Sequence, residues 1–306
     1  MNDDSPISRR NFVIRTALIG ATAALGAPAL RAEEPKKRFQ VIGFTKPFQD
    51  IGFDETADYV AKIGWTGIEC AVRAKGQVLP ERVEDDLPRL QEALRKRNVD
   101  LTLLTTDIRR VDPLAERVLR MAAKLGVRRY RFGFVHYDLK KPVAPQLDAF
   151  KAELRDLAAL NRELGVVGAL QNHSGPDLIG APVWDIYELI HDLDPAHLGA
   201  CFDIGHATVE GGLSWPIQAR LLEPYFVCPY VKDFVWKQKP GANAWTVEWC
   251  PLGQGMIRPE YFTWLRNSTY SGPVSQHFEY VEGAGPKQLE IMQRDCAKLR
   301  ELLGIA

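Results

Sequence analysis

Five short clusters in this chain combine ionisable and amide side chains in an order that could support chemistry. They are Glu69 followed by Arg73, Gln171-Asn172-His173-Ser174-Gly175, Asp203-Ile204-Gly205-His206, Tyr230-Val231-Lys232-Asp233, and Gln276-His277-Phe278-Glu279-Tyr280. Each stands at or just past a short apolar run. Three of the six histidines, His173, His206 and His277, fall in them, together with the carboxylates Asp203 and Glu279. Imidazoles and carboxylates that converge on one mouth are a candidate site for a divalent cation. Such a cation would offset the repulsion between two buried anions, polarise a carbonyl and stabilise an enediolate.

Each residue also has a purely structural reading. His173 could be a hydrogen-bonded residue after a strand, and Asp203 could cap the helix that follows it. Glu279 could form an ordinary salt bridge, and Lys232 and Asp233 could pair with each other. Glu69 is flanked by apolar residues and is expected to face an interior, where a buried carboxylate needs a partner; Arg73 is the candidate. His191 and His197 flank a helix end and read as surface residues.

The elements that would position these clusters follow from the apolar pattern. Short apolar runs predict buried parallel strands at Phe39–Phe44, Gly67–Ala71, Leu101–Thr105, Tyr130–Phe134, Val166–Leu170, Gly199–Phe202, Phe226–Val231 and Val274–Phe278. Amphipathic stretches between them predict helices at Phe53–Ile63, Leu87–Arg97, Pro113–Leu125, Gln146–Leu164, Trp184–Asp192, Trp215–Leu222 and Pro259–Asn267, with a last helix at Lys287–Leu303. Gly64, Gly126 and Gly165 stop helices just before strands. Eight strand–helix units predict a (β/α)8 TIM barrel over residues 38–306, in which catalytic groups stand at the strand C-termini. An open doubly wound sheet would often carry a glycine-rich loop after its first strand, and Thr45-Lys46-Pro47-Phe48-Gln49 is not one. The segment Phe234–Met256 is expected to be an irregular loop over the mouth. Its Trp236, Trp245 and Trp249 either stack on a sugar face or pack the loop down.

Composition narrows the function. The formal net charge is +0 with 25% charged residues, so there is no general attraction to nucleic acid or to an anionic membrane. The five cysteines are scattered without a CxxC, which argues against a disulfide framework or a structural zinc. Cys70, Cys201 and Cys228 read as core. At the N-terminus, Ser8-Arg9-Arg10-Asn11-Phe12 precedes a mildly apolar stretch from Thr16 to Leu30. Residues 1–32 therefore read as a twin-arginine (Tat) export signal cleaved near Ala32, placing the mature protein in the periplasm with no membrane span. Export favours neutral sugars or glycosides over phosphorylated cytoplasmic metabolites.

The clusters together resemble the xylose isomerase-like sugar phosphate isomerase/epimerase superfamily, to which the AP endonuclease 2 family belongs. The resemblance spans about residues 38–304. Asp203-x-x-His206 resembles the strand-six motif whose Asp is a metal ligand. Gln171-Asn172 falls where the family has Glu-Asn with Glu as ligand. Tyr230-Val231-Lys232-Asp233 falls where it has His-x-Lys/Asn-Asp with His as ligand. Glu279 resembles the strand-eight Glu that is both ligand and base, and Pro251-Leu252-Gly253-Gln254-Gly255 resembles the Leu-Gly-x-Gly segment. The resemblance implies a divalent metal (Mn, Mg, Co or Zn) held by Asp203, Glu279, Gln171 and His206. It implies Glu279, His206 and Lys232 as catalytic groups. Glu69, Arg73, His173, His277 and Trp236 are expected to contact a small carbohydrate. A homo-oligomer is compatible with it.

Two departures bear on mechanism: Gln171 replaces a Glu and Tyr230 replaces a His. An amide cannot take a proton from carbon, which disfavours epimerisation by two carboxylates. A metal-assisted isomerase/epimerase-type enzyme acting next to a sugar carbonyl is the leading expectation. A lyase that β-eliminates from a 3-keto-glycoside at the same site is the alternative, with His206 or Lys232 as acid. A barrel that binds sugar without turnover stands as the reading from another class. A nuclease would want more ligands and a basic rim.

Overall fold

The apolar runs become strands because every one of them is buried on both faces. A computed structural model of the chain describes residues 38–241 and 244–305; the expected export signal at 1–32 lies outside them. The strands are β1 (Phe39–Phe44), β2 (Gly67–Val72), β3 (Asp100–Thr106), β4 (Arg129–Arg131), β5 (Val167–Gln171), β6 (Leu198–Cys201), β7 (Tyr230–Val231), β8 (Asp233–Gln238), β9 (Trp245–Cys250) and β10 (Gly272–Gln276). Eight of them form one parallel sheet in the order β6-β5-β4-β3-β2-β1-β10-β7. Parallel bridges from Ala200 to Phe226 and from Asp203 to Tyr230 join its two ends. Backbone hydrogen bonds Val227 N to Ala200 O at 2.9 Å and Tyr230 N to Phe202 O at 2.8 Å close the barrel there.

The interior of the barrel is a small cluster of Ile42, Leu103, Ala169 and Cys228 with Cys201, Val227 and Tyr230. Ile42, Leu103 and Ala169 come from β1, β3 and β5, and Cys228 from the run leading into β7. This is the alternate-strand layering expected of a closed eight-stranded barrel. A larger apolar shell lies between the strands and the outer helices α1 (Phe53–Ile63), α2 (Val83–Arg95), α3 (Pro113–Lys124), α4 (Val143–Leu164), α5 (Val183–Ile190), α6 (Ile204–Gly211), α7 (Trp215–Leu222), α8 (Pro259–Asn267) and α9 (Pro286–Leu303). Gly64 ends α1 at φ 94°, where its N–H reaches Val60 O and Ala61 O, a position that favours glycine. Cys70, Cys201 and Cys228 are fully buried, as expected. Among the described residues no helix is long and apolar enough to cross a membrane.

Two elements differ from expectation. The segment after β7 is not irregular: β8 and β9 pair antiparallel from Asp233–Cys250 to Gln238–Trp245. Phe234, Trp236, Val247 and Trp249 supply the side chains that a two-stranded ribbon packs across its strands. The second is α6, a short helix begun by Asp203 itself, whose Oδ1 accepts from His206 N at 3.1 Å.

Candidate active site at the strand C-termini

The sixth strand runs straight into the site. Asp203 follows β6, is fully buried, and is gripped from both sides by Asn172. Its N–H donates to Asn172 Oδ1 at 2.7 Å, and Asn172 Nδ2 donates back to its carbonyl at 2.9 Å. The remaining carboxylate oxygen, Oδ2, accepts from Gln171 Nε2 at 2.9 Å and lies 3.1 Å from Lys232 Nζ. Asp203 is thus both the helix cap and a member of the site.

Lys232 does not pair with Asp233. Its ammonium, 2% exposed, lies 3.1 Å from Asp203 and 3.5 Å from Glu279 Oε1, and sits 4.8 Å from the centroid of the Trp249 ring. Asp233 turns away and accepts four backbone N–H groups, from Phe234, Ile257, Gly253 and Gly255, at 2.9–3.0 Å. This ties the Pro251–Gly255 segment beneath the hairpin. A Cβ on Gly255 would lie 2.3 Å from Asp233 Oδ1 and from Phe234 O, so only glycine fits.

Glu279, after β10, has an ammonium on each oxygen: Lys46 Nζ at 2.6 Å on Oε2 and Lys232 on Oε1. Burial alone would raise its pKa. Lys232, the Lys46 hydrogen bond and His277 outweigh that and hold it down at about 2. Lys46 was not singled out in the sequence, although it stands just past the first apolar run and obeys the same rule as the others.

Glu69 has a different partner from the one expected. Arg73 does not bond it. Ser275 Oγ donates to Oε2 at 2.6 Å, Thr105 Oγ1 donates to Oε1, and His277 Nε2 lies 2.9 Å from Oε2. The next strands and β10 supply these donors inside the barrel, whereas Arg73 leaves β2 beyond its end and rests over the Phe44 ring, 5.5 Å from its centroid. Full burial pushes the Glu69 pKa up, but the His277 charge and the three hydrogen bonds bring it to about 2. An ionised Glu69 only accepts, so Nε2 of His277 carries a proton, and in the neutral ring the lone pair is on Nδ1. Nδ1 has no partner among the described residues. Phe44 at 5.0 Å and Tyr230 at 4.3 Å hold the ring between them.

The other two histidines form a second, neutral group. Their rings lie against each other, tilted by 40°, with centroids 3.7 Å apart. Burial, then the Lys232 charge, lowers the pKa of His173 to about 4 and takes that of His206 well below the usual range. Ser174 Oγ lies 2.7 Å from His206 Nδ1, and His206 Nε2 is buried without a partner among the described residues.

A cavity of about 100 Å³ opens at this mouth, lined by Glu69, Arg73, Gln171, His173, His277 and Glu279 with Phe44, Lys46, Arg131 and Phe134. Six of the residues expected at the site therefore meet on one surface. Asp203, His206 and Lys232 form the layer behind it. Trp236 does not join them: it lies on β8, 41% exposed, with its ring against Phe234. Of the three hairpin tryptophans, it is Trp249 that packs onto Lys232 and His206. His136 stays at the surface beside Asp177. Arg131 was missed because it lies within a run read as a buried strand. A larger cleft, about 490 Å³, lies over the start of α3 and holds none of these groups.

The expected ligands do not fit a divalent cation. Gln171 presents its NH₂ to Asp203, because its carbonyl there would face a carboxylate, so it is a donor to the site's central carboxylate where the family has a third anion. Lys232 stands between Asp203 and Glu279. His206 Nε2 is 3.8 Å from Asp203 Oδ2. At the family's fourth ligand position, Tyr230 is a buried phenol kept neutral by burial. Among the described residues no three His, Cys, Asp or Glu side chains come together to hold a metal.

The family model described as xylose isomerase-like TIM barrel matches residues 57–302. No curated protein matches the chain. Among solved structures, 3-keto-D-glucoside 4-epimerase from E. coli is 15% identical with a TM-score of 0.65, covering 86% of this chain and 99% of its own. A probable 3-DHS dehydratase from Bacillus anthracis is 14% identical with a TM-score of 0.64, covering 85% and 98%. A xylose isomerase-like barrel from Mycobacterium smegmatis, in complex with magnesium, is 16% identical with a TM-score of 0.64, covering 88% and 97%. At these identities the likeness establishes the fold.

Proposed function

The chain belongs to the xylose isomerase-like TIM barrel family, and from that premise we propose that it is a carbohydrate-modifying enzyme that withdraws a proton from the carbon beside a sugar carbonyl. One observation carries this reading: the Glu69–His277 pair and the Lys46–Glu279 pair open onto the same small cavity. Enolisation needs a base near the carbon and a positive charge near the oxygen. His277 takes the proton on Nδ1, and Glu69 stabilises the imidazolium that results, as a buried carboxylate does in other carboxylate–histidine pairs. The electron pair moves onto the carbonyl oxygen, where the Lys46 ammonium opposes the new charge. Passage of the adjacent hydroxyl proton to that oxygen and return of the carbon proton from His277 to the former carbonyl carbon gives isomerisation; epimerisation needs the carbon proton delivered to the opposite face of the original carbon by solvent or a second acid.

Glu279, the base implied by the resemblance, is a weak one while two ammonium groups hold it. Its role in this reading is to fix Lys46 and Lys232. Lys232 positions Asp203 and Glu279 from behind the cavity surface. The twin arginines Arg9 and Arg10 support export to the periplasm.

A second reading is β-elimination from a 3-keto-glycoside, in which His277 removes the proton beside the carbonyl and the Lys46 ammonium at the cavity gives a proton to the leaving oxygen as the β C–O bond breaks. Incubation in D₂O with ketohexoses, hexuronates and 3-keto-glucosides separates the readings. Carbon-bound deuterium in an intact sugar marks isomerisation or epimerisation. A released aglycone with an ultraviolet-absorbing enone marks elimination. His277→Gln should slow either reaction by roughly 10²–10⁴-fold. Turnover at the wild-type rate in that variant removes His277 as the base, and no exchange with any sugar leaves a binding barrel.

A further inference from the structure

Two guanidinium groups face the cavity without a carboxylate in contact. Arg131 leaves β4 and is 3% exposed. It lies over the Phe134 ring, 4.5 Å from the centroid, and one of its nitrogens, Nη1, donates to Phe132 O at 2.6 Å. Arg73 lies over the Phe44 ring, and among the described residues its side chain has no hydrogen bond or ion pair. Both line the cavity.

The carboxylates that line or back the cavity are already matched, and Asp107, which acts on Arg73 from outside the lining, makes no contact with it. Glu69 has His277, Ser275 and Thr105; Glu279 has Lys46 and Lys232; Asp203 has Lys232, Gln171 and the His206 amide. Burial and the charge on Arg131 together lower the pKa of Arg73, so the two cations repel across the cavity. Buried cations without an anion are costly, and proteins rarely keep two of them together. Each is held by an aromatic face; Arg131 spends Nη1 on Phe132 O, which leaves its other N–H groups and the Arg73 edge for a ligand. A guanidinium edge is a planar fork that matches the two oxygens of a carboxylate or phosphate.

We infer that Arg73 and Arg131 bind an anionic group of the substrate, so that the sugar handled here carries a carboxylate or a phosphate. This rests on the proposed reaction and specifies its substrate class. A neutral hexose would leave the repulsion between the two arginines in place, while an anion between them converts it to attraction. The resulting anchor would set which carbon of a keto sugar faces His277.

Calorimetric titration of the full chain tests the inference, with glucuronate, glucose 6-phosphate, glucose and inorganic phosphate as probes at constant ionic strength. Glucuronate or glucose 6-phosphate should bind at least about tenfold tighter than glucose, the size expected of hydrogen bonds to a charged group. Preference between the two identifies the carboxylate or the phosphate as the anion. Arg131→Gln and Arg73→Gln should each abolish the preference. Arg131→Lys, which keeps charge but not the fork, should restore it only in part. Because Arg131 is buried, Arg73→Gln at a half-buried position is the decisive variant if Arg131→Gln does not fold. Equal binding of glucose and the anions, or an unchanged preference in Arg73→Gln, overturns the inference. His277→Gln should keep the preference while losing turnover. The anchor and the proposed base can therefore fail separately.

Discussion

Lys232→Ala should convert this site into one that binds a metal. The ammonium is 3.1 Å from Asp203 and 3.5 Å from Glu279. At an effective dielectric of about 20, each contact is worth on the order of 5 kcal/mol of attraction before desolvation is counted. Removing one partner of a buried ion pair usually costs about 3–5 kcal/mol. Asp203 keeps its Gln171 and His206 hydrogen bonds and Glu279 keeps Lys46, which puts the cost at the low end, about 3 kcal/mol. For a chain of this size that is a fall in Tm of roughly 6–12 °C. The alanine variant also vacates the space between the carboxylates. A divalent cation at about a thousand times its Kd would return roughly 4 kcal/mol. Lys232→Met removes the same charge but fills the space. The assay is differential scanning calorimetry with and without Mn²⁺, alongside electron paramagnetic resonance of free Mn²⁺. Wild type should show neither a shift nor uptake, Lys232→Met a fall without rescue, and Lys232→Ala a fall that Mn²⁺ reverses. Stoichiometric metal in the wild-type protein, with Tm lost on chelation, would refute the argument. So would a Lys232→Ala variant that melts like wild type and ignores Mn²⁺.

Acid should destabilise the barrel in two stages. His173 titrates near 4 when folded against 6.5 for the free group, so the unfolded chain binds the proton first and stability falls as pH drops from 6.5 toward 4, by up to about 3 kcal/mol. Glu69 is depressed from 4.5 to about 2, so its contribution is complete above 4.5 and is lost from there toward 2, again by up to about 3 kcal/mol. Urea midpoints at pH 7, 5.5, 4.5 and 3 should show both limbs, and His173→Gln should reduce only the upper one, to which His206 also contributes. Gly255→Ala should force Asp233 away from its amides at a cost of about 2 kcal/mol. Hydrogen exchange should then quicken at Gly253, Gly255 and Ile257, and unchanged protection there would contradict the packing described.

The fold was legible because parallel strands buried on both faces leave unbroken apolar runs, and all eight runs coincide with barrel strands to within a few residues. Reading the residue past each run also found six of the groups that line the cavity. Pairing was the part that could not be read. Glu69 and Arg73 are four residues apart, but Arg73 stands beyond the strand end while Ser275 and His277 come from β10, which pairs with β1 across the barrel. Lys232 and Asp233 are adjacent yet point to opposite tasks, because neighbours on an extended chain face opposite ways. The hairpin was missed because its strands alternate aromatic, aliphatic and charged residues, Phe234-Val235-Trp236-Lys237 and Thr246-Val247-Glu248-Trp249, without a long apolar run. Arg131 was missed because, inside the run Tyr130–Phe134, it was counted as strand.

The departures at Gln171 and Tyr230 belong with the Lys232 ammonium, which stands at the family's Lys/Asn position and lies between the two remaining carboxylates. The ligand set implied by the family resemblance has three carboxylates around a divalent cation and leaves one net negative charge. Here Gln171 removes one carboxylate, and Lys232 supplies a single positive charge between the two that remain, Asp203 and Glu279. Tyr230 stands where a ligating imidazole would be, and its phenol packs against His277 with its hydroxyl beside Cys201. An ammonium differs from a divalent cation in one respect that matters for chemistry: it cannot expand its coordination to take a substrate oxygen while holding two carboxylates. Stabilisation of the reacting oxygen therefore falls to the cations that line the cavity. Lys46 is the one beside Glu279, and the two arginines are left for the substrate's own charge.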